Sequence, residues 1–240
     1  FLEKMNPKNI DNKIYSDEKA NQELISLFKS GEFQAAKKKA ILQLSKYPKA
    51  YAIHNIFGAI LAAENKLNEA EAHYKKSIEI KFDYAEAHNN LATVLQKLGN
   101  FEKAVLSYNN ALKYKPNFAE AHNNLGTVLS KLGKFDKAIN RYHQALRINP
   151  NYAEAYSNFG NTLMESGKFE EAIVQHQKAL EINSGYTKAY NNLGNAFTKL
   201  GKFEEAIAQH QKALKINPND AEAYSNFGNT LMESGKFEEA

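Results

Sequence analysis

Apolar residues recur at helical spacing along most of this chain, and the pattern breaks at regular places. In residues 119–149 a first stretch, AEAHNNLGTVLSKL, carries Leu125 and Leu129. A second, KFDKAINRYHQALRI, carries Phe135, Tyr142 and Leu146. Recurrence every three to four residues marks a helix with one face turned to a core. Gly133 separates the stretches and Pro150 follows the second. Glycine stops a helix because it takes a left-handed backbone without strain, and proline because the residue before it is driven from the helical region. The pattern predicts two helices joined by a tight turn.

The same pattern repeats. Apart from Pro7, the prolines are Pro48, Pro116, Pro150 and Pro218, with gaps of 68, 34 and 68. Repeating units of 34 residues start at Asp17, Tyr51, Ala85, Ala119, Ala153, Thr187 and Ala221. The twentieth position of each is alanine: Ala36, Ala70, Ala104, Ala138, Ala172, Ala206 and Ala240. The seventeenth is Phe33, Leu67, Phe101, Phe135, Phe169, Phe203 and Phe237. The fifteenth is glycine except at Asn65, and asparagine is the other residue that tolerates a left-handed backbone. Ala138 and Gly126 are small where two helices must approach closely.

The unit resembles the tetratricopeptide repeat, whose pattern is W-x2-L-G-x2-Y followed by Ala, Phe and Pro over about 34 residues. Here the tryptophan position is His54, His88, His122, Tyr156, Tyr190 or Tyr224, and Leu61, Leu95, Leu129, Leu163, Phe197 or Leu231 replaces the tyrosine. The terminal proline gives way to Phe82 and Ser184. The resemblance implies an all-α, right-handed superhelical solenoid of about six full units and a partial seventh. Residues 1–16 are expected to be an irregular lead-in and 17–50 a divergent capping unit. Five units follow at 51–84, 85–118, 119–152, 153–186 and 187–220, and 221–240 reads as a unit cut short, from which a longer natural protein is expected.

Residues 153–172 and 221–240 are identical, AEAYSNFGNTLMESGKFEEA, which points to duplication of two units. An exchange accompanies the later units. His54, His88 and His122 stand early with Tyr74, Tyr108 and Tyr142 late, whereas Tyr156 and Tyr190 stand early with His176 and His210 late. One reading is a packed contact between the two rings of each unit. The other is simple inheritance within the duplicated blocks.

On a helical wheel, positions four, seven, eight and eleven of the first helix cluster on a buried side. Positions two, six, nine and thirteen lie opposite, and by resemblance they line the concave groove. The sixth is Asn90, Asn124, Asn158, Asn192 and Asn226; the ninth is Thr93, Thr127, Asn161, Asn195 and Asn229. Asparagine is a mediocre helix former, so propensity does not explain this register. An amide offers two donors and an acceptor, which suits the backbone of an extended peptide. The ladder is similar to that of the O-linked N-acetylglucosamine transferase superhelix. Alternatively, the amides tie neighbouring units together. Positions two and thirteen alternate in charge, with Glu154 and Glu165, then Lys188 and Lys199, then Glu222 and Glu233, whereas the earlier units pair Glu86 with Lys97 and Glu120 with Lys131. Those lysines are read either as peptide contacts or as neutralising the flanking glutamates. In the unit from Tyr51 the groove positions are apolar, notably Ile56, Ala59 and Ala63. Residues 1–16 are expected to fold back over this patch, the alternative being an apolar side chain of a partner.

Charge narrows the partner. The net charge of +4 sits wholly in residues 1–50, and the rest is neutral. A neutral body matches a nucleic-acid backbone poorly. The longest apolar run, Ile56–Ala63, is far short of a membrane span. Cysteine is absent and the seven histidines show no metal-binding spacing, so no cofactor, metal or catalytic residue is expected. The carboxylate clamp of chaperone-binding relatives requires basic fifth positions, but these are Asn55, Asn89, Asn123, Ser157, Asn191 and Ser225. The expected role is a scaffold for a protein or peptide partner. Two alternatives remain: a substrate-recruiting arm for a glycosyl-, sulfo- or methyltransferase domain beyond residue 240, and self-association through exposed solenoid ends.

Overall fold

The structure, a computed structural model, describes residues 18–235, with side chains from residue 21. The lead-in at 1–16, its expected fold-back and the helix expected around Phe237 lie outside the described residues. Helices and turns account for the described residues, with no strand among them. They divide into two compact units between Asn117 and Phe118. The first holds α1 (Glu18–Lys29), α2 (Phe33–Lys46), α3 (Tyr51–Ala63), α4 (Leu67–Ile80), α5 (Ala85–Lys97) and α6 (Phe101–Tyr114). The second holds α7 (Ala119–Lys131), α8 (Phe135–Ile148), α9 (Ala153–Glu165), α10 (Phe169–Ile182), α11 (Thr187–Lys199), α12 (Phe203–Ile216) and α13 (Ala221–Glu233). Each is a stack of antiparallel helix pairs, the helical repeat solenoid expected from the period.

Each pair is closed by the same turn. At the end of α7 the Gly133 N–H donates to the Ser130 carbonyl at 2.7 Å, and the Lys134 N–H to the Leu129 carbonyl at 2.9 Å. These two bonds satisfy carbonyls that the helix end leaves open. The geometry requires a left-handed residue, and Gly133 has φ 69°. Asn65 does the same work at φ 59°. Lys134 already accepts from Ala138 as the start of α8, at 3.0 Å, so the turn has no residue to spare.

Small residues set the spacing within a pair. Ala70, Ala104, Ala138, Ala172 and Ala206 are fully buried at the twentieth position. At the eighth position the first helix presents bare backbone to a ring from the twenty-fourth. A Cβ at Gly126 would lie 2.8 Å from Tyr142, and one at Gly160 would lie 2.6 Å from His176. The rings at this position are buried, and two of them, Tyr142 and His210, reach onward. The Tyr142 hydroxyl lies 3.3 Å from Thr127 on α7 and 3.3 Å from Thr162 on α9. His210 sits 3.0 Å from the Asn191 side chain on α11 and 3.1 Å from Thr230 on α13. One ring thus joins its own pair to the next.

Successive first helices touch within each unit: α1 with α3 and α3 with α5, then α7 with α9, α9 with α11 and α11 with α13. Among the described residues no comparable contact joins successive second helices. The first helices therefore form the inner layer of each stack and the second helices the outer.

Of the two readings of the exchanged rings, direct contact within the unit is not what His54, His88, Tyr156 and Tyr190 show. His54 lies 3.0 Å from His73 and 3.2 Å from the Pro48 carbonyl, and His88 stacks on Tyr114 at 5.7 Å. Lys178 and Lys212 lie over Tyr156 and Tyr190 at 5.7 and 5.8 Å. The late ring is occupied by the bare eighth position, one helical turn beyond the early ring, so the two find different partners.

Neither ring nitrogen of His176 has a hydrogen-bond partner. Burial holds the His176 and His210 imidazoles down, to about 4. The unfolded chain takes up protons below about pH 6.5, where the folded chain keeps these rings neutral. Their contribution to stability is full above that value, declines as pH falls toward about 4, and levels off below it. His176→Tyr restores the residue of the earlier pairs. It is expected to remove about 2 kcal/mol of the stability lost between about pH 7 and pH 5. Urea unfolding at both pH values measures this, and an unchanged pH dependence would refute it.

Candidate functional site

The inner helices present the sixth and ninth positions on their open face, but not all of these side chains are free. In the first unit, Asn90 donates to the Asn55 amide oxygen at 3.0 Å. Thr93 is held by the Asn89 carbonyl at 3.1 Å and the Tyr108 hydroxyl at 3.0 Å. In the second unit, Asn158 donates to Asn123 at 3.1 Å, and Asn123 donates to Asn124 at 3.2 Å. Thr127 is held by the Asn123 carbonyl at 3.2 Å and by Tyr142. At these rungs the asparagines tie neighbouring pairs together. The Tyr152 phenol is pushed up to about 12 mainly by burial, and the Asn123 side chain opposes that rise.

Further along, the ties are missing. Serine replaces asparagine at Ser157, and the Asn191 amide oxygen is engaged by His210. Asn192 and Asn226 therefore lack the partner that Asn158 has. The ninth position changes with the twenty-fourth. Tyrosine reaches the ninth-position threonine, whereas His210 engages the fifth position and the next pair instead. Asn161, Asn195 and Asn229 stand where the threonines were. Among the described residues, the side chains of Asn161, Asn192, Asn195, Asn226 and Asn229 make no hydrogen bond.

These amides line two adjoining clefts in the second unit. The first encloses about 440 Å³ and is bounded by Asn161, Lys188, Asn191, Asn192, Asp220 and Glu222. The second encloses about 300 Å³ between Met164, Asn195, Lys199, Asn226, Asn229 and Glu233. Lys188 and Lys199 form no ion pair among the described residues, so the reading in which they neutralise neighbouring glutamates is not realised by direct contact. Glu154 is exposed on α9, and Glu165 accepts from Ser130 at 2.6 Å. In the first unit Ile56 and Ala59 are half-buried and Ala63 is exposed on α3.

The fifth position was read from sequence only as lacking a clamp. It proves to be a buried joint: Asn55, Asn89, Asn123, Ser157 and Asn191 are all nearly inaccessible. The joint change of residues at positions five, nine and twenty-four was the available signal. No group of three or more potential metal ligands occurs among the described residues, and none of their helices is long and apolar enough to cross a membrane.

Family models of the tetratricopeptide repeat match residues 58–99, 95–133 and 194–235, residues 117–185, and residues 163–209. No curated protein matches the chain in sequence. Among solved structures, the chain is similar to YrrB, described as a tetratricopeptide protein with an unusual peptide-binding site. Identity is 26%, coverage 76% of this chain and 94% of that one, and the TM-score 0.59. A tetratricopeptide protein of Thermus thermophilus matches at 21% identity over 76% of this chain and 100% of its own, with TM-score 0.64. PilF of Pseudomonas aeruginosa matches at 16% over 89% and 96%, with TM-score 0.75. These last two likenesses show the fold alone.

Tied and free asparagines make opposite predictions. Asn123→Ala removes a buried joint and is expected to cost about 1–3 kcal/mol. Asn192→Ala removes a free amide from a helix that favours alanine, and stability should hold or rise by a few tenths, about 0.5 kcal/mol at most. Urea unfolding of both variants checks this, and equal losses would rule out the distinction.

Proposed function

Because the chain belongs to the tetratricopeptide repeat family, we propose that it is a scaffold holding an extended peptide of a partner protein across the inner helices of residues 119–233. The observation that carries this reading is the run of unengaged amides on α9, α11 and α13, lining two adjoining clefts. A polar group held on a rigid helix without a partner is poised for one from outside. Amides offer paired donors and acceptors, and an extended backbone offers the complementary set at every residue. Recognition of this kind tolerates many side chains.

The similarity to YrrB, whose description names a peptide-binding site, supports the same reading. Asn124 and Asn158 contribute to it as the joint that positions α7 and α9, and Thr127 as part of the core contact of Tyr142. In the first unit Asn90 and Thr93 are likewise engaged internally. The peptide contacts are therefore assigned to Asn161, Asn192, Asn195, Asn226 and Asn229, flanked by Glu154, Lys188 and Lys199.

The test begins with peptides selected from a random displayed library on the full chain. Asn192→Ala, Asn195→Ala and Asn226→Ala combined are expected to weaken the selected peptides at least about tenfold, with helix content unchanged by circular dichroism. Methylating the peptide's backbone nitrogens should weaken binding similarly. Undiminished binding to the triple variant would reject the groove.

A further inference from the structure

The charges bordering the clefts fall into bands. On α9 they are Glu154 and Glu165, on α11 Lys188 and Lys199, and on α13 Glu222 and Glu233, all exposed. Asp220 adds to the third band where its carboxylate caps α13 by accepting from the Ala223 N–H at 3.1 Å. Each helix carries the same sign at both ends, at its second and thirteenth positions. Over α9, α11 and α13 both rims of the groove therefore read negative, positive, negative; α7 departs from this, with Glu120 at one end and Lys131 at the other. The lysines of the middle band are not neutralised by contact, since neither forms an ion pair among the described residues.

From this we infer that the groove selects its peptide by charge register: an acidic residue at the centre, with a basic residue about three positions to either side. The inference rests on the groove being the peptide site. Helices packed side by side lie about 8–10 Å apart, and an extended chain rises about 3.3 Å per residue. A peptide crossing the inner helices thus passes from one band to the next about every third residue. Extended side chains alternate between the two rims, but over α9, α11 and α13 the rims carry the same pattern, so across these three helices the complement is the same whichever rim a side chain meets. The unengaged amides between the rims hold the backbone and leave selection to the charges.

Three fluorescein-labelled seven-residue peptides, otherwise all serine, test this against the full chain by fluorescence polarisation. One has glutamate at its centre and lysine at both ends. The second has these charges exchanged. The third has the composition of the first, with both lysines placed directly beside the glutamate. The first is expected to bind about tenfold more tightly than either other at low salt, the sum of a few exposed charge pairs. The advantage should shrink as salt rises. It should vanish in the chain carrying both Lys188→Glu and Lys199→Glu, whose fold is checked by circular dichroism. Equal binding of all three peptides, or a preference that survives the double reversal, overturns the charge register while the groove reading stands. Failure of all three to bind overturns both.

Discussion

A ring laid against bare backbone is the contact on which the rest of the structure depends. The ring at the twenty-fourth position of a pair needs a small residue at the eighth, and in four pairs that residue is glycine. The contact brings the two helices close enough for the twentieth-position alanine to be completely enclosed. Interiors pack near crystal density, so this spacing has little latitude. In Tyr142 and His210 the polar tip of the ring then reaches the next pair. In those two pairs one side chain thus bears on both the spacing within the pair and the stacking on the next.

The choice of ring also decides what the open face can do. Tyr108 and Tyr142 extend to the ninth position and engage Thr93 and Thr127 there. In His210 the shorter imidazole turns instead to the fifth position and to the next pair. This occupies the amide to which the sixth position of α13 would otherwise bond. A substitution in the buried layer is thereby felt in the groove as amides without partners. His176 shows the cost, since its two nitrogens are enclosed without a partner where Ser157 and Ala196 stand in place of the groups around His210.

The fold was legible in the sequence because its essential residues are types that little else can replace. A left-handed turn needs Gly133 or Asn65, and a close crossing needs Ala138 or Gly126. The wheel located the open face but made the buried side too narrow. It left out positions five and ten because a first helix packs against its own partner, the second helix before it and the first helices on either side. Ile60, Val94, Val128, Thr162 and Thr230 are consequently buried. The asparagine register was visible, but its division into tied and free amides was not. That division depends on whether a residue one repeat away is asparagine or serine and on which way a buried ring points.

The tight turns and neighbour-only stacking bear on how the chain acquires its structure. The hydrogen bonds that join one pair to the next span no more than 35 residues of sequence. Bringing such groups together closes only short loops, whose entropic cost is modest. A chain with contacts this local is expected to fold rapidly, and a stack of this kind can nucleate at any pair and grow in either direction. During synthesis, each pair of helices can therefore consolidate on the one before it as it leaves the ribosome, without waiting for the distant end of the protein.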